Sequence, residues 1–389
     1  MTSNPFPAGG QRPVRVWTAI VDQHATWIAV NPVQGCPKSC RYCFLNERGQ
    51  TAVRPETLAS PARSVELLLA CPHYTPERPV AYYTWTDAMA LPTTREHLKA
   101  LLGELTRRGV PNPVVLITKC RVPDDVIAAI TAAIRDGLRV LVYLSYSGLS
   151  GEVERGIRHE DLRENFPRLA DAGVPIVHYW RPAFPRSATP ETMTAVLDWA
   201  AAHARCTVAA GLKVEAAALP GLARLWPELA TTPEVDKAEC VYPRAFWDFI
   251  HATAATHPTH PLFHTNSCAL AYVLGRTDRF GVFDTPVCAT RNHCPTGQRD
   301  LCRAAARRRR PVREQDVAAA LARHGHPDAA FTLDPAAGEV IVRRALPTNV
   351  AAALTQDLAT RVRVQRQEDD PYWSSGTAGA LPLVLDGAR

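Results

Sequence analysis

Three cysteines stand close together near the start of the chain, in the order C-x3-C-x2-C. They are Cys36, Cys40 and Cys43, and they follow the apolar-leaning run Thr26–Pro32. Three thiols on so short a loop can hold three corners of a cubane iron–sulfur cluster, which leaves the fourth iron open to an external chelator. A structural zinc site needs four ligands, which usually occur in the sequence as pairs with C-x2-C spacing. The spacing therefore favours a 4Fe-4S cluster over the alternatives, a different metal knuckle or free thiols.

A second group of four cysteines occurs later in the chain, within a stretch of 35 residues. Its members are Cys268, Cys288, Cys294 and Cys302, separated by 19, 5 and 7 residues. Four thiols suit an auxiliary iron–sulfur cluster or a structural zinc, although these spacings lack the close pairs of a zinc finger. Unligated thiols are the third alternative. His264 and His293 are candidates to replace a cysteine as ligand.

Length and composition limit the class of protein. The chain has 389 residues, 46% of them hydrophobic, a net charge of +6 and a pI near 8.8. A barrel of roughly 250 residues with an appendage would account for this length. Thiols that ligate a cluster must stay reduced, so we expect a cytoplasmic protein. The first residues lack an apolar signal-peptide core and no long uncharged apolar stretch follows, so neither export nor a membrane span is expected.

Beyond the first cysteines, short apolar strands alternate with amphipathic helices, a pattern typical of a parallel sheet with right-handed crossovers. Strands are predicted at Thr26–Val30, Val80–Trp85, Pro113–Thr118, Arg139–Tyr146, Pro175–Trp180 and Thr207–Val214. Helices are predicted at Ser64–Ala70, Thr94–Arg107, Pro123–Arg135, His159–Ala172 and Pro190–Ala204. The fold class is thus α/β. Whether the sheet closes does not follow from periodicity.

The predicted domains continue past this α/β region. We expect a leader over 1–25, a barrel-like domain over 26–267, a cysteine- and arginine-rich extension over 268–310, a small α+β unit over 311–367 and a tail over 368–389. In the α+β unit, helices are predicted at Glu314–Arg323 and Asn349–Leu358, and strands at Glu339–Arg343 and Arg361–Val364. The run Arg307–Arg310 reads as a solvated helix end or as a site for phosphates or an acidic peptide.

Several motifs together resemble the radical S-adenosylmethionine (SAM) superfamily, nearest to its spore photoproduct lyase-like branch. The C-x3-C-x2-C loop has the aromatic Tyr42 before its last cysteine, and Leu116–Lys119 is similar to the I-T-K strand end of that branch. Thr86–Pro92 is similar to its T-D-x3-P turn, with one extra residue before the proline. The resemblance covers roughly residues 26–215. It implies a partial or full (β/α) barrel with the cluster loop at its carboxyl-end mouth.

The resemblance also suggests roles for polar residues at the strand ends. Asp87 would contact the SAM amine, or would only cap its turn. Lys119 and Arg181 would suit the SAM carboxylate or an anionic substrate, or would pair with acids at the mouth. Candidates for the SAM ribose are Ser145 and Glu154, and Tyr42 and Thr86 complete the predicted cofactor-binding set. Cys120 is a candidate hydrogen-atom donor, with a buried small hydrophobic residue as the alternative.

The activity implied is reductive cleavage of SAM at a 4Fe-4S cluster, followed by radical chemistry on a substrate. The resemblance further implies an electron donor such as flavodoxin or ferredoxin, and an auxiliary iron–sulfur cluster is one outcome for the second cysteines. A peptide, a nucleic acid and a small metabolite are all open as substrate. The alternative function is a non-enzymatic, metal-bearing nucleic-acid-binding protein that uses the second cysteines and the arginine run.

Overall fold

The computed structural model describes residues 13–253, 257, 259–284, 288, 293–365 and 382–386. In order, the strands are β1 (Val21–Gln23), β2 (Ile28–Val30), β3 (Val33–Gln34), β4 (Ser39–Cys40), β5 (Glu56–Thr57), β6 (Val80–Tyr82), β7 (Val114–Thr118), β8 (Val140–Leu144), β9 (Glu154–Arg155), β10 (Ile176–Trp180), β11 (Cys206–Ala209), β12 (Val241–Pro243), β13 (Leu262–Phe263), β14 (Phe331–Asp334), β15 (Glu339–Ala345), β16 (Arg361–Gln365) and β17 (Leu383–Leu385).

The helices alternate with these strands through the first half of the chain. They are α1 (Pro61–Leu69), α2 (Pro92–Arg107), α3 (Asp124–Arg135), α4 (His159–Asp171), α5 (Pro190–His203), α6 (Leu219–Ala223), α7 (Arg244–Thr253), α8 (Asn266–Val273), α9 (Arg279–Phe283), α10 (Thr296–Arg308), α11 (Glu314–Arg323) and α12 (Thr348–Asp357). Among the described residues, no helix is both long enough and apolar enough to span a bilayer.

The main sheet has eight strands in the order β1-β2-β6-β7-β8-β10-β11-β13. All neighbours pair in parallel except β1, which lies antiparallel along β2. Both β8 and β10 are buried along their whole length, as expected for strands covered on both faces by other layers. The predicted α/β class with a parallel sheet is confirmed. Over the described residues the sheet is open, because β1 and β13 do not pair, so of the two predicted forms it is the partial barrel.

Amphipathic helices cover the sheet through apolar stripes. On α2, Leu98, Leu101, Leu102 and Leu105 recur at the i, i+3, i+4, i+7 spacing and are essentially inaccessible to solvent. Burial of such a leucine stabilises a fold by about 1.5–3 kcal/mol, which exceeds what helix propensity alone contributes. The same rule predicted α3, α4 and α5 within a residue or two of their observed ends.

Two predicted strands are shorter in the structure because the chain turns earlier. The strand predicted to reach Trp85 ends at Tyr82, since Tyr83 adopts a positive φ of 61°. The Asn31 side chain then accepts hydrogen bonds from the Trp85 amide and the Thr84 hydroxyl and holds the turn. The strand predicted to reach Val214 ends at Ala209, because Leu212 instead forms an antiparallel bridge with Val241.

The C-terminal region forms a separate layer with its own core. Strands β14, β15 and β16 make a three-stranded sheet, and the predicted elements of the α+β unit are all present, with β14 in addition. The unit approaches the main sheet through Gln356, whose side-chain amide donates to the Ala25 carbonyl. From the predicted tail, Leu383–Leu385 pairs with β12, whereas its acidic and aromatic part, 368–373, lies outside the described residues. The predicted leader contributes β1.

Candidate functional site

A cavity of about 500 Å³ opens at the carboxyl ends of the parallel strands. Parallel-sheet enzymes keep their chemistry at this edge, because the loops that follow several strands converge there. The cavity wall includes most of the residues singled out from the sequence: Cys36, Cys40, Cys43, Tyr42, Thr86, Asp87, Lys119, Ser145 and Arg181. Tertiary structure thus brings together groups that span about 145 positions of sequence. The C-terminal unit adds Ala352, Thr355, Arg361 and Val362 to the wall.

The cysteine loop is fixed by backbone pairing on both sides. The Cys36 amide donates to the Gln50 carbonyl at 2.7 Å, and β4, which contains Cys40, pairs antiparallel with β9, which contains Glu154. Gly35 precedes the loop with a φ of 97°, and a Cβ at this position would lie 2.7 Å from a guanidinium nitrogen of Arg15. The loop therefore needs glycine here, and its three thiols are presented by a constrained backbone.

The three thiols lie close enough to influence one another. Burial raises the pKa of the Cys36 thiol, and the neighbouring Cys43 raises it further. Burial also raises the pKa of Cys40, to about 12, although Lys119 opposes it. The pKa of Cys43 is raised by burial against the lowering effects of the Leu45 amide, Arg181 and Lys119. Three largely protonated thiols facing one cavity, Cys40 buried and Cys36 and Cys43 half-buried, suit a positively charged metal centre, which replaces their protons. This donor set fits a three-cysteine iron–sulfur cluster with one open corner.

Lys119, in the cavity wall, forms an ion pair with the buried Glu154 carboxylate behind it. The Lys119 ammonium donates to Glu154 Oε1 at 2.7 Å, to the Ser145 carbonyl at 2.9 Å and to the Arg181 carbonyl at 3.2 Å. An ammonium group has three protons, and these three acceptors use all of them. Lys119 is thus committed to joining the ends of β7, β8 and β10, and its predicted direct role with the SAM carboxylate is not favoured.

Glu154 is fully buried and does not line the cavity. Its Oε1 also accepts a hydrogen bond from the Tyr42 hydroxyl, and His159 Nε2 lies 3.2 Å from Oε2. Burial alone would raise the pKa of Glu154, but Lys119, His159 and Tyr42 outweigh it and lower the pKa to about 2. The carboxylate therefore stays charged at neutral pH. Because Glu154 is not among the residues that line the cavity, the structure favours a positioning role over its predicted contact with a ribose.

Asp87 joins the turn after β6 to the end of β7. Its Oδ1 accepts from the Thr118 hydroxyl at 2.8 Å and from the Met89 amide at 3.0 Å, and its Oδ2 accepts from the Lys119 amide at 2.8 Å. This is the capping role that the sequence left open. Asp87 nevertheless lines the cavity, and a carboxylate has about four acceptor positions, so it can accept a further donor from a ligand.

Arg181 is one of the cations that line the cavity and could meet an anion there. One of its guanidinium nitrogens donates to the Tyr179 hydroxyl at 2.8 Å, and the group also lies beside the Tyr179 ring. Although burial lowers the pKa of Arg181, Tyr179, Tyr42 and Cys43 raise it above the usual value. A guanidinium has five N–H donors in a fork that matches a carboxylate. Ser145, at the end of β8, lines the same wall.

Thr86 and Cys120 differ in their relation to the cavity. The Thr86 hydroxyl donates to the Gly35 carbonyl at 2.5 Å, so this wall residue ties the β6 turn to the start of the cysteine loop. Cys120 is not among the residues that line the cavity, and it packs against the main hydrophobic core. Its placement fits the alternative interpretation, a small hydrophobic residue, better than the predicted hydrogen donor.

Two residues that shape the site, Tyr179 and His159, were not predicted from the sequence. Tyr179 accepts from Arg181 and from the Asn266 side-chain amide, and His159 stands beside the buried Glu154 carboxylate. The sequence did contain a pattern that could have identified Tyr179, because residues two apart on a strand share a face and Arg181 lies two residues after Tyr179. No sequence pattern could have identified His159, since its contact with Glu154 depends on how α4 packs.

The second cysteines gather around Asp278. Cys268 Sγ lies 3.5 Å from Asp278 Oδ2, and the Asp278 amide donates to Cys302 Sγ at 3.3 Å. Burial raises the pKa of Cys294 to about 12, with further contributions from Cys288 and Cys302. Within the described residues, no three of these sulfurs lie within 4.8 Å of one another, whereas four thiolates on one zinc would be about 3.8 Å apart. This spacing argues against a preformed zinc site and leaves a cluster or free thiols.

Iron analysis separates those two outcomes. After anaerobic reconstitution, a variant with Cys36, Cys40 and Cys43 all changed to Ala should keep about four irons per chain if the second cysteines hold a cluster. It should hold essentially no iron if they are free thiols. The parent protein should bind about eight or about four irons, respectively. Colorimetric iron and sulfide assays provide the measurement, and equal iron in the parent and the triple variant would contradict the assignment of the first cysteines.

The chain is similar to three kinds of solved structure. Spore photoproduct lyase complexed with dinucleoside spore photoproduct matches at 12% identity and a TM-score of 0.42, over 54% of this chain and 64% of that chain. SuiB of Streptococcus suis bound to S-adenosylmethionine matches at 13% identity and a TM-score of 0.37, over 52% of this chain and 46% of that chain. The cobalamin-dependent S-adenosylmethionine radical enzyme OxsB matches at 13% identity and a TM-score of 0.32, over 44% of this chain and 26% of that chain.

These matches span less than two thirds of each of those three chains. No family model matches the chain, and no curated protein matches it. Every TM-score is below 0.5, so the function below is derived from the residues of this chain.

Proposed function

We propose that this protein is a radical SAM enzyme that reductively cleaves S-adenosylmethionine at a 4Fe-4S cluster. The observation that carries the proposal is the convergence of Cys36, Cys40 and Cys43 on one wall of a cavity at the carboxyl ends of parallel strands. A short loop with three thiols and no fourth cysteine leaves room for an external chelator of the open iron. When bound, the cluster with SAM supplies the reductive cleavage that starts radical chemistry.

The cavity wall offers complementary groups for the polar parts of SAM. Arg181 suits the methionyl carboxylate, because its guanidinium keeps donors beyond the one used on Tyr179. Asp87 suits the amine as a charged acceptor, and the Ser145 hydroxyl suits the ribose. Lys119 in the wall and Glu154 behind it hold Tyr42 and the ends of three strands at fixed positions. The aromatic pair Phe44 and Trp85 lies edge to face in the same wall and makes that part of it apolar.

The proposal also includes partners. The reaction consumes an electron, for which we propose a donor such as flavodoxin or ferredoxin, in a cytoplasmic setting. A peptide, a nucleic acid and a small metabolite are the substrate classes to be assayed. The alternative function, a non-enzymatic metal-bearing nucleic-acid-binding protein, is favoured by no observation in the described part of the chain.

The direct test is anaerobic reconstitution with iron and sulfide, followed by incubation with SAM and dithionite. We expect 5′-deoxyadenosine to form, with its amount measured by liquid chromatography and mass spectrometry. Omission of dithionite should abolish the product, since the sulfonium bond is cleaved reductively. A confirmed cluster that yields no 5′-deoxyadenosine would refute the proposed function and favour the binding protein.

A substitution at Asp87 tests whether this residue binds the cofactor or only caps its turn. Asp87→Asn should weaken SAM binding by about 1.5–3 kcal/mol, the contribution of a hydrogen bond to a charged group, and should leave the iron content unchanged. Isothermal titration calorimetry on the reconstituted protein gives the affinity. Because Asn would also place an N–H where Asp87 accepts from backbone amides, the melting temperature must be measured in parallel. A lower melting temperature with unchanged SAM affinity would show that Asp87 caps its turn and does not bind SAM.

A further inference from the structure

Three histidines from separate segments meet beside the last strand of the main sheet. His251 lies near the end of α7, His264 follows β13 and His293 precedes α10. One ring nitrogen of each lies within 4.8 Å of the other two, and this is the only such group of three His, Cys, Asp or Glu ligand atoms among the described residues. His293 Nε2 and His251 Nδ1 are 3.0 Å apart. Two nitrogens bound to one tetrahedral zinc at 2.0–2.1 Å would lie about 3.3 Å apart, close to this separation.

Hydrogen bonding fixes the tautomer of His264. Its Nδ1 lies 3.0 Å from the Ala209 carbonyl oxygen, which can only accept. The Tyr242 hydroxyl, 3.3 Å from Nδ1, donates its own proton to the same carbonyl oxygen, so the proton between the ring and Ala209 is on Nδ1. The lone pair is therefore on Nε2, which is buried and has no hydrogen-bond partner. The residue as a whole is only 8% exposed. Metal-binding histidines share this arrangement: one ring nitrogen donates to a carbonyl and thereby orients the other toward the ion.

The surroundings keep the three rings oriented and uncharged. Trp247 stacks on His264 with ring centroids 4.8 Å apart and packs against His251 at 4.5 Å. His251 Nε2 is also buried without a partner. Burial lowers the pKa of His264 to about 3 and that of His293 to about 4. Burial also lowers the pKa of His251, although the neighbouring Asp248 raises it in part. Neutral imidazoles present their lone pairs to a metal without first releasing a proton.

We propose that His251, His264 and His293 bind one divalent transition-metal ion of the zinc class, separate from both cysteine groups. A buried acceptor nitrogen without a partner is unfavourable, and an ion shared by three imidazoles satisfies it. Imidazole ligands suit zinc, and three protein ligands leave a fourth position for water or a small ligand. The ion would join α7, the end of β13 and the segment before α10. This proposal does not depend on the proposed SAM chemistry.

The test uses the full-length protein, stripped of metal with a chelator and never reconstituted with iron. We expect it to bind one zinc per chain by elemental analysis and calorimetry, with an X-ray absorption spectrum that shows nitrogen and oxygen neighbours only. His264→Gln should weaken zinc binding by at least about 100-fold, because loss of an outer partner of a ligand already costs 10–100-fold. Cobalt substitution should give the visible absorption of a four-coordinate site in the parent and not in the variant.

Two control variants keep the result specific. His260→Gln alters another buried histidine, whose ring nitrogens are already engaged by Thr207 and the Ala204 carbonyl, and it should retain the zinc. Cys288→Ala combined with Cys294→Ala should also retain it. Circular dichroism establishes that each variant is folded, and His293→Gln repeats the measurement should His264→Gln fail to fold. Sulfur neighbours in the absorption spectrum, fewer than one zinc per chain, or full zinc binding by folded His264→Gln or His293→Gln would overturn the proposal.

Discussion

Changing Cys36, Cys40 and Cys43 together to Ala should abolish 5′-deoxyadenosine formation and remove the electron paramagnetic resonance signal of the reduced cluster. The three thiols line the cavity and are the proposed protein ligands of the cluster, which would carry the chemistry, so no product above the enzyme-free background is expected. Single Ala variants should each lose most of the activity, because two remaining ligands hold a cubane poorly. The readouts are product per chain after reaction with SAM and dithionite, and the spectrum of the reduced protein.

Cys71→Ala is the matched control for this experiment. Cys71 follows α1, is not among the residues that line the cavity, and should be replaceable without loss of product. Melting curves of the triple variant and the parent show whether the scaffold survives. Reductive SAM cleavage by a folded triple variant would refute the assignment of this loop as the cluster site.

Lys119→Met should destabilise the protein by about 3–5 kcal/mol, the largest stability effect that we expect from a single substitution at this site. The change removes the cation that faces the buried Glu154 carboxylate, and an uncompensated buried charge is costly. It also removes the donor to the Ser145 and Arg181 carbonyls. Urea unfolding at pH 7 gives the free energy of unfolding. Lys99→Met is the control, since Lys99 pairs with Glu96 and Asp125 on the surface and should contribute little.

The double variant Lys119→Met with Glu154→Gln isolates the charge. Gln is neutral and still accepts from the Tyr42 hydroxyl, so we expect this variant to recover part of the lost free energy of unfolding. A cost in the double variant as large as in Lys119→Met alone would show that shape, not charge, is responsible.

The pH dependence of the same pair has a defined sign. In the parent, the pKa of Glu154 is lowered from 4.5 to about 2, which is worth about 3 kcal/mol of stability at neutral pH. That contribution is present above pH 4.5 and is lost as the pH falls from there toward 2. In Lys119→Met, Glu154 is buried without its cation, which should raise the pKa of its carboxyl. Lowering the pH from 7 toward 5 should therefore reduce the difference in free energy of unfolding between this variant and the parent. A difference independent of pH would contradict the ion-pair explanation.

Much of the fold followed from local patterns. The helix Glu314–Arg323 was predicted with its observed bounds, and six of the eight strands of the main sheet were predicted within about five residues of their ends. Errors occurred where tertiary contacts end a strand, as at Tyr83, whose positive φ turns the chain away from the sheet. The edge strand Val21–Gln23 was not predicted, because three polar or half-buried residues carry no clear alternation.

By itself the sequence determined the cysteine loop, the order of strands and helices and the edge of the sheet at which the polar residues collect. These depend on spacing and periodicity, which are local properties of the chain. Only the tertiary structure decided which charges meet: Glu154 reaches Lys119 because β9 pairs with β4, and this pairing commits both residues to each other. Tertiary structure also gathered His251, His264 and His293, and it placed the C-terminal unit against the cavity. Contacts between distant segments are set by packing, which no short stretch of sequence encodes.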